Sequence, residues 1–294
     1  MSIGERPSPR FPAFEELSFG LRVGGLRLQA KSILPPGTDL TGSGPTLVFL
    51  HEGLGSITQW RHFPLALAQA TGLPALVYDR CGHGQSQARP KAMDATYLET
   101  EAFEQLPEVL AACAIEEPIL VGHSDGATIA LLYAARFPEA PLGVISEAAH
   151  PFIEARCIQG IWRTLHAFET TTLRDRLRTH HGDRVDALFR GWSEVWLSPG
   201  FRDWSMVPLL PAVRCPVLAI QSEDDEYGTP DQVRAILQGV SGPAEGLLLP
   251  GCAHAPHLHA REPVLARMAQ FIEPIAAPFK NHPEIGRASC RERV

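Results

Sequence analysis

The 294-residue chain lacks the features that mark membrane, secreted and nucleic-acid-binding proteins. No apolar run approaches the roughly 18 residues that a transmembrane helix requires. Its 26 basic and 33 acidic residues give a formal charge of −7, so no basic excess indicates a nucleic-acid or anionic-membrane partner. The N-terminus lacks the apolar segment of a signal peptide, and the six cysteines include no C-x-x-C pair. These absences predict reduced thiols and a cytoplasmic protein.

The end of the chain is unlike the rest. Residues Ile285–Val294 read IGRASCRERV, which fits neither the preceding helical pattern nor a helix cap. The segment resembles the translation of a sequencing adapter. We therefore expect residues 285–294 to be a non-native tail and leave them out of the fold prediction.

Short, wholly apolar segments alternate with helical patterns along most of the chain. The strand candidates are apolar at every position, as expected for strands buried on both faces: Thr46–Leu50, Ala75–Tyr78, Ile119–Val121, Leu142–Ile145, Val217–Ile220 and Leu247–Leu249. The helix candidates between and after them are Phe63–Ala70, Thr100–Cys113, Ala127–Arg136 and Val264–Ile272. This rhythm predicts an α/β fold, a mostly parallel central sheet with helices on both faces. A period-2 pattern around Gly24-Gly25 adds an antiparallel hairpin, Leu17–Ile33, at one edge.

One stretch of about 65 residues, between Ser146 and Cys215, contains no strand candidate. It holds four of the five tryptophans and shows helical periodicity at Ile158–Phe168 and Val185–Trp196. Because structureless loops of this length are uncommon in compact domains, we predict an inserted helical cap. Its tryptophans form either the cap's own core or the wall of a pocket. The predicted organisation is a core in two parts, 1–148 and 214–280, interrupted by a cap at 149–213.

The segment Gly122–Gly126 reads G-H-S-D-G and lies directly between a predicted strand and a predicted helix. This is the G-x-S-x-G pattern of a nucleophile elbow in its informative context. A serine on so sharp a turn stands clear of both elements, and the flanking glycines relieve the crowding. The N–H groups that begin the next helix face a site where negative charge develops. Ser124 is therefore the candidate nucleophile.

A nucleophilic serine needs a base, and the base needs an acid that orients it. His254 follows the strand candidate that ends at Leu249, and an acidic cluster at 223–226 follows the one that ends at Ile220. The chain order is serine, acid, histidine. All three lie at carboxyl ends of predicted parallel strands, where ligands bind in open α/β sheets.

These motifs resemble those of the α/β-hydrolase fold family, from about residue 14 to residue 278. The other segments that carry the resemblance are His51–Ser56 and Tyr78–Ser86, each after a predicted strand. The resemblance implies Ser124 as nucleophile and His254 as general base. It also places the acid three residues after a small residue that ends a strand. Ser222 holds that place, which implies Asp225 as the acid.

The same resemblance implies two backbone donors for an oxyanion hole. One is the N–H of Asp125, the residue after the nucleophile. The other is the N–H at the third position of a His-Gly-x turn, which here is Gly53. Glu52 stands where the family has glycine, and Leu54 is therefore the alternative donor.

Several of these assignments have alternatives. Asp224 is one alternative acid, its neighbour then serving as a helix cap. Glu147, just past another strand candidate, is a second, because some family members place the acid there. Glu52 has two interpretations, an ion pair with Arg61 or Arg80, or a carboxylate at the pocket mouth.

Histidines near the motifs need a separate assignment. His257 and His259 follow His254 in a His-x-x-His-x-His pattern, which can indicate zinc. Because carboxylates at the spacing of zinc hydrolases are missing, we predict no metal and place both histidines on the exposed start of a helix. His180 and His181 lie in a charged segment and are predicted to be solvated surface.

The sequence thus predicts a serine hydrolase that cleaves small carboxylic esters through a Ser-His-Asp triad. It needs no metal or organic cofactor, and its partner is a small-molecule substrate rather than nucleic acid or membrane. Because this fold supports many reactions, lactonase, C–C bond hydrolase, aminopeptidase and cofactor-free perhydrolase activities stay open. The serine disfavours haloalkane dehalogenase and epoxide hydrolase chemistry, which uses a carboxylate nucleophile on a similar fold. A slow-turnover ligand receptor is the alternative from another class.

Overall fold

The computed structural model describes residues 13–41 and 44–281. The strands in this part are β1 (Glu15–Val23), β2 (Leu26–Leu34), β3 (Thr46–Leu50), β4 (Ala75–Tyr78), β5 (Pro118–His123), β6 (Gly143–Glu147), β7 (Val217–Ser222) and β8 (Ala244–Leu249). They form one sheet in the order β1-β2-β4-β3-β5-β6-β7-β8. The β1–β2 hairpin and the β2–β4 pair are antiparallel, and all other neighbours are parallel. The predicted α/β fold with a mostly parallel sheet is confirmed.

Helices cover both faces of this sheet. The α-helices of the described residues are α1 (Phe63–Thr71), α2 (Tyr97–Thr100), α3 (Leu106–Ala112), α4 (Asp125–Arg136), α5 (Ala155–Thr170), α6 (Leu173–His181), α7 (Val185–Leu197), α8 (Asp231–Gly239), α9 (Pro256–His259) and α10 (Arg261–Asn281). A π-helical turn at Glu101–Gln105 joins α2 to α3. The remaining turns of helix are 3₁₀: Ile57–Trp60, Gly182–Arg184, Pro199–Phe201 and Val207–Ala212.

The side chains of β3 show how two helical layers use one strand. Leu47 and Phe49 pack into the cluster that contains the apolar faces of α1 and α10. Val48 and Leu50 pack into the other cluster, with α3 and α4. Since successive side chains of a strand point to opposite faces, a strand between two helical layers has to be apolar throughout. The same apolar run predicts the strand from the sequence.

The segment between β6 and β7 consists of helices and turns around one isolated bridge, Phe152 to Ser205, in the described structure. Helices α5 and α7 cover the two predicted periodic stretches, and α6 was not predicted. Of its tryptophans, Trp192 and Trp196 are buried, Trp204 is half-buried, and Trp162 is 56% exposed. The division of the chain into core and cap at residues 149 and 213 stays a prediction.

Two further differences from the sequence predictions concern the helices. Helix α8 was not predicted, and α10 extends beyond the predicted stretch at both ends. The tail 285–294 lies outside the described residues. Within the described ranges, no helix is both long enough and apolar enough to span a bilayer.

Candidate active site

Ser124 occupies the sharp turn between β5 and α4, with φ 54° and ψ −117°. The two glycines of the motif let other backbone come close to this turn. A Cβ on Gly122 would lie 2.3 Å from the carbonyl oxygen of Gly126. A Cβ on Gly126 would lie 1.9 Å from the carbonyl oxygen of Leu50, at the end of β3. The glycines of the motif are therefore required because the turn packs closely against its own helix and against the neighbouring strand.

The structure brings Ser124, His254 and Asp225 together in one chain of hydrogen bonds. The His254 Nε2 lies 2.9 Å from the Ser124 Oγ. The Nδ1 of the same ring lies 2.8 Å and 2.9 Å from the two oxygens of Asp225. The three side chains come from the ends of β5, β7 and β8, at the carboxyl edge of the parallel strands. This geometry lets the ring accept a proton from the serine while the carboxylate holds the other nitrogen.

Asp225 and its neighbour Asp224 point to different partners. Asp225 is fully buried, and the Tyr227 N–H donates to its Oδ1 over 2.8 Å. Asp224 is exposed and accepts hydrogen bonds from the Ser222 hydroxyl at 2.5 Å and the Gly251 N–H at 2.8 Å. Asp224 therefore stabilises the turn that leads to His254, and Asp225 contacts the ring itself. The second alternative acid, Glu147, does not contact His254.

The histidine and the carboxylate shift each other's pKa in opposite directions. Burial by itself lowers the pKa of His254, but the charge and hydrogen bond of Asp225 outweigh burial and raise the pKa above its usual value. Burial raises the pKa of Asp225, and the nearby His254 more than reverses this, so that the pKa of Asp225 is lowered. The pair favours an ionised acid beside a ring that readily accepts a proton.

The two backbone groups predicted as oxyanion donors, Gly53 and Asp125, line the same small cavity as Ser124. Neither of their N–H groups has a hydrogen-bond partner in the part of the chain that the structure describes. Leu54, the alternative donor, lines this cavity as well. Asp125 begins α4, where N–H groups have no partner within the helix.

The carboxylate of Asp125 is buried, and its contacts were not foreseen from the sequence. The Tyr97 hydroxyl donates to Asp125 Oδ2 over 2.6 Å, and the Trp196 Nε1–H donates to the Tyr97 Oη over 2.8 Å. The buried Arg80 guanidinium lies 3.9 Å from the same Oδ2. Burial raises the pKa of the Asp125 carboxyl, and Arg80 and Tyr97 offset this only in part. A buried charge needs such partners, and they fix the residue next to Ser124.

The expected ion pair of Glu52 with Arg61 or Arg80 is wrong. Arg80 donates to the backbone carbonyl oxygen of Glu52 over 2.8 Å, and its charge faces Asp125 instead. Among the described residues, the Glu52 carboxylate forms no ion pair or hydrogen bond. It lines two cavities that meet beside His254, so the second interpretation, a carboxylate at the pocket mouth, describes its place.

The prediction of exposed histidines is wrong at two positions. His257 is buried, and its backbone N–H and Nδ1 lie 2.7 Å and 3.0 Å from oxygens of Glu147. His181 is buried between Gly84 and Leu54, at 2.9 Å from the N–H of one and 2.9 Å from the carbonyl of the other. Their partners lie far away in sequence, so the local charge pattern did not reveal them. His259 is exposed, as predicted.

The described residues contain no group of three or more His, Cys, Asp or Glu side chains placed to hold a metal ion. His254 and His257 contact different carboxylates, so the His-x-x-His-x-His pattern does not converge on one point. The cysteines of the described chain are buried free thiols: Cys81, Cys113, Cys157, Cys215 and Cys252.

His123, inside the elbow motif, supports the loop that carries His254. Its Nε2 donates to the His254 carbonyl oxygen over 2.7 Å. Burial lowers the pKa of His123 to about 3, so the ring is neutral and this nitrogen carries the proton. The residue types at positions 123 and 254 do not predict a bond between a ring and a distant carbonyl.

A family model described as the alpha/beta hydrolase fold matches residues 45–208, more than half of the chain. The chain belongs to this family. The curated relatives of this α/β-hydrolase-fold protein include the sn-1-specific diacylglycerol lipase ABHD11 of Mus musculus, 38% identical over 96 residues. Another is the 2-succinyl-6-hydroxy-2,4-cyclohexadiene-1-carboxylate synthase of Enterobacter sp. (strain 638), 32% identical over 111 residues. The alignments cover 32% and 36% of this chain and 29% and 38% of the relatives, about a third of their length.

The solved structures similar to this α/β-hydrolase-fold protein match over almost their whole length. One is the 2-hydroxy-6-oxo-6-phenylhexa-2,4-dienoate hydrolase of Rhodococcus sp. strain RHA1, with a TM-score of 0.75 and 17% sequence identity. The match covers 88% of this chain and 99% of that one. At this identity the likeness shows the fold, which hosts different reactions.

Proposed function

We propose that this protein is a serine hydrolase that cleaves small carboxylic esters through an acyl-enzyme intermediate. The observation that carries the proposal is the hydrogen-bonded chain from the Ser124 Oγ through His254 to Asp225, with distances of 2.9 Å and 2.8 Å. A serine hydroxyl is a weak nucleophile by itself, and a base at this distance activates it. The names of the curated relatives, a diacylglycerol lipase and a carboxylate synthase, are compatible with this proposal without choosing one reaction.

In the proposed mechanism, His254 removes the proton of Ser124 as its oxygen attacks the carbonyl carbon of the ester. Asp225 stabilises the imidazolium that forms and holds the ring in the correct tautomer. The N–H groups of Gly53 and Asp125 donate to the oxyanion of the tetrahedral intermediate. His254 then gives its proton to the leaving alkoxide. Water, activated by the same ring, releases the acid and restores the serine.

The experiment that tests this proposal replaces the nucleophile. Ser124→Ala should fold like wild type and lose activity on p-nitrophenyl esters by several orders of magnitude, on the order of 10⁴ to 10⁶ in kcat. A serine-directed phosphonate should label wild type at Ser124, as located by mass spectrometry, and leave the variant unlabelled. Lactone and amide substrates run beside the esters would identify a different reaction at the same serine.

Ser146→Ala is the matched control, because this serine is buried nearby on β6 and its hydroxyl has no partner in the described structure. It should keep wild-type activity and labelling. Full activity in Ser124→Ala would overturn the proposed function. If the phosphonate labels Ser124 at normal rates but no substrate is turned over appreciably, the alternative of a slow-turnover ligand receptor would be favoured instead.

A further inference from the structure

Two cavities of very different size meet at His254. The first, of about 40 Å³, contains Ser124 and both proposed oxyanion donors. The second, of about 460 Å³, lies on the other flank of the histidine and contains none of these three groups. Glu52, Tyr227 and His254 line both, so the two cavities are adjoining parts of one site.

The proposed reaction assigns one half of the ester to each cavity. The carbonyl oxygen has to reach the N–H groups of Gly53 and Asp125, which places the carbonyl carbon in the small cavity. The leaving oxygen has to lie beside the ring of His254, which protonates it. Because the large cavity begins at that ring, the alcohol part extends into it, and the acyl chain remains in the small one.

The small cavity has a firm wall. Five of the side chains that line it are buried: His150, Cys157, Ile161, Trp192 and Trp196. Trp196 is held by its hydrogen bond to Tyr97, and Tyr97 by its bond to Asp125. The indole of Trp192 is packed so closely that a Cβ on Gly53 would lie 2.4 Å from its nitrogen. Displacing this wall breaks contacts with the residues that flank the nucleophile.

The volume limits the acyl group. The small cavity, about 40 Å³, has less than a tenth of the volume of the large one, so it suits the shortest acyl chains. The large cavity, about 460 Å³, falls within the range of small-molecule sites, about 300–1,000 Å³. Polar groups line it, among them Thr58, Arg61, Arg176 and His180. The two sides are therefore unequal in size, and the larger one offers several hydrogen-bonding groups to an alcohol.

We propose that the substrate is an ester of a two- or three-carbon acid with a larger, polar alcohol. This inference rests on the proposed serine-esterase function. In the first step the bond between the Ser124 oxygen and the acyl carbon forms, the ester C–O bond breaks, and His254 protonates the alkoxide. In the second step water cleaves the acyl-enzyme to acetate or propionate, and its other proton returns to the serine.

The first experiment varies the acyl chain with one leaving group. With p-nitrophenyl acetate, propionate, butyrate and hexanoate, kcat/KM should be highest for the first two. It should fall about tenfold or more at butyrate, since one methylene in a tight apolar pocket changes discrimination by about 10- to 200-fold. Ile161→Ala enlarges the wall and should move the optimum to butyrate or hexanoate. Leu165→Ala, one turn further along α5 and lining neither cavity, is the matched control and should leave the profile unchanged.

The second experiment varies the alcohol with one acyl group. Glyceryl triacetate should be cleaved with at least tenfold higher kcat/KM than ethyl acetate, whereas ethyl hexanoate should be cleaved more slowly than ethyl acetate. A wild-type preference for hexanoate, an unmoved profile in Ile161→Ala, or equal rates for the two acetates would overturn the inference and leave the esterase function intact. Failure to cleave any ester, with no phosphonate label on Ser124, would overturn the proposed function itself.

Discussion

Two histidines follow β8, His254 in the loop and His257 in α9, and each contacts a carboxylate. The two pairs differ in what they can do. His254 contacts Asp225 with its Nδ1 at 2.8 Å, and His257 contacts Glu147 with its Nδ1 at 3.0 Å. Both carboxylates are completely buried. By composition and distance, either pair satisfies the description of a base oriented by an acid.

The difference lies at the other nitrogen of each ring. The Nε2 of His254 faces the Ser124 Oγ, and its side chain is 13% exposed toward the two cavities. The His257 ring is 3% exposed and packs against Trp60, Phe63 and His123, with ring centroids 4.7 Å, 5.4 Å and 4.9 Å away. Although His257 also lines the large cavity, no nucleophilic side chain of the described residues contacts its ring. A histidine and a carboxylate become a catalytic unit when a nucleophile completes them.

The pair of His257 and Glu147, called the closed pair below, has a structural role. The backbone carbonyl oxygen of Glu147 accepts the Ser124 N–H over 2.8 Å, while its carboxylate accepts the His257 N–H over 2.7 Å. One residue at the end of β6 therefore joins the turn of Ser124 to the segment that carries His254 and His257. Burial raises the pKa of the Glu147 carboxyl, and the nearby His257 reverses this to a net lowering. Glu147 is a positioning residue in this interpretation.

The strongest test of the comparison removes the acid from the pair of His254 and Asp225, called the open pair below. Asp225→Asn should lower kcat by about 10⁴-fold, the scale of the same change in a serine protease, because the imidazolium loses its stabilising charge. Asp224→Asn is the control from the same turn and should change kcat far less, since Asp224 contacts backbone and a serine rather than the ring. Both variants should be assayed on one ester at one pH. Loss of activity in Asp224→Asn alone would contradict the assignment, and full activity in both would contradict it as well and make Glu147 the next carboxylate to test.

A smaller effect is expected from the closed pair. Glu147→Gln keeps one acceptor oxygen but places an amide against the His257 ring, so the loop of the base should shift. A misplacement of about 1 Å costs up to about 10²-fold in rate, and we expect a loss of about tenfold to 10² in kcat with KM almost unchanged. Glu139→Gln, in an exposed ion pair with Arg214, is the control. A loss as large as that of Asp225→Asn, or none, would refute the positioning role.

The smallest expected effect is a shift of the pH profile. Because the pKa of His254 is raised, the ring stays protonated to higher pH, and kcat/KM should fall tenfold per unit as pH drops through a value above 6.5. Glu52 contributes to this rise, so Glu52→Gln should move the acid limb to lower pH. Glu147→Gln should not move it, since Glu147 faces His257. Profiles of kcat/KM for the three proteins would show this, and an unmoved limb in Glu52→Gln would be the contrary result.

The sequence predicted best those elements whose structure is determined by a local pattern of residues. The bounds of β3 and β4 agree with the structure because both strands lie between two helical layers and are apolar at every position. The elbow could be located because its glycines are required by contacts within a few residues and with one adjacent strand. Helix α6 was missed because its nine residues are mostly polar. Its two buried residues, Leu177 and His181, do not form a recognisable apolar pattern.

Contacts between distant segments could not be predicted. Glu147 and His257 are separated by 110 positions, and Tyr97 and Trp196 by 99. No spacing rule relates such residues, because the fold alone brings them together. The open pair was found only because a family pattern fixes the place of the acid, whereas nothing comparable exists for the closed one.

The hydrogen bonds from Trp196 through Tyr97 to Asp125 connect the pocket wall to the residue proposed to supply an oxyanion donor. An acyl chain that is too long cannot push the indole aside without also disturbing the N–H that receives the negative charge. In the proposed reaction, an acyl chain that does not fit therefore raises the free energy of the transition state and slows acylation. A longer acyl chain would then lower kcat more than it raises KM.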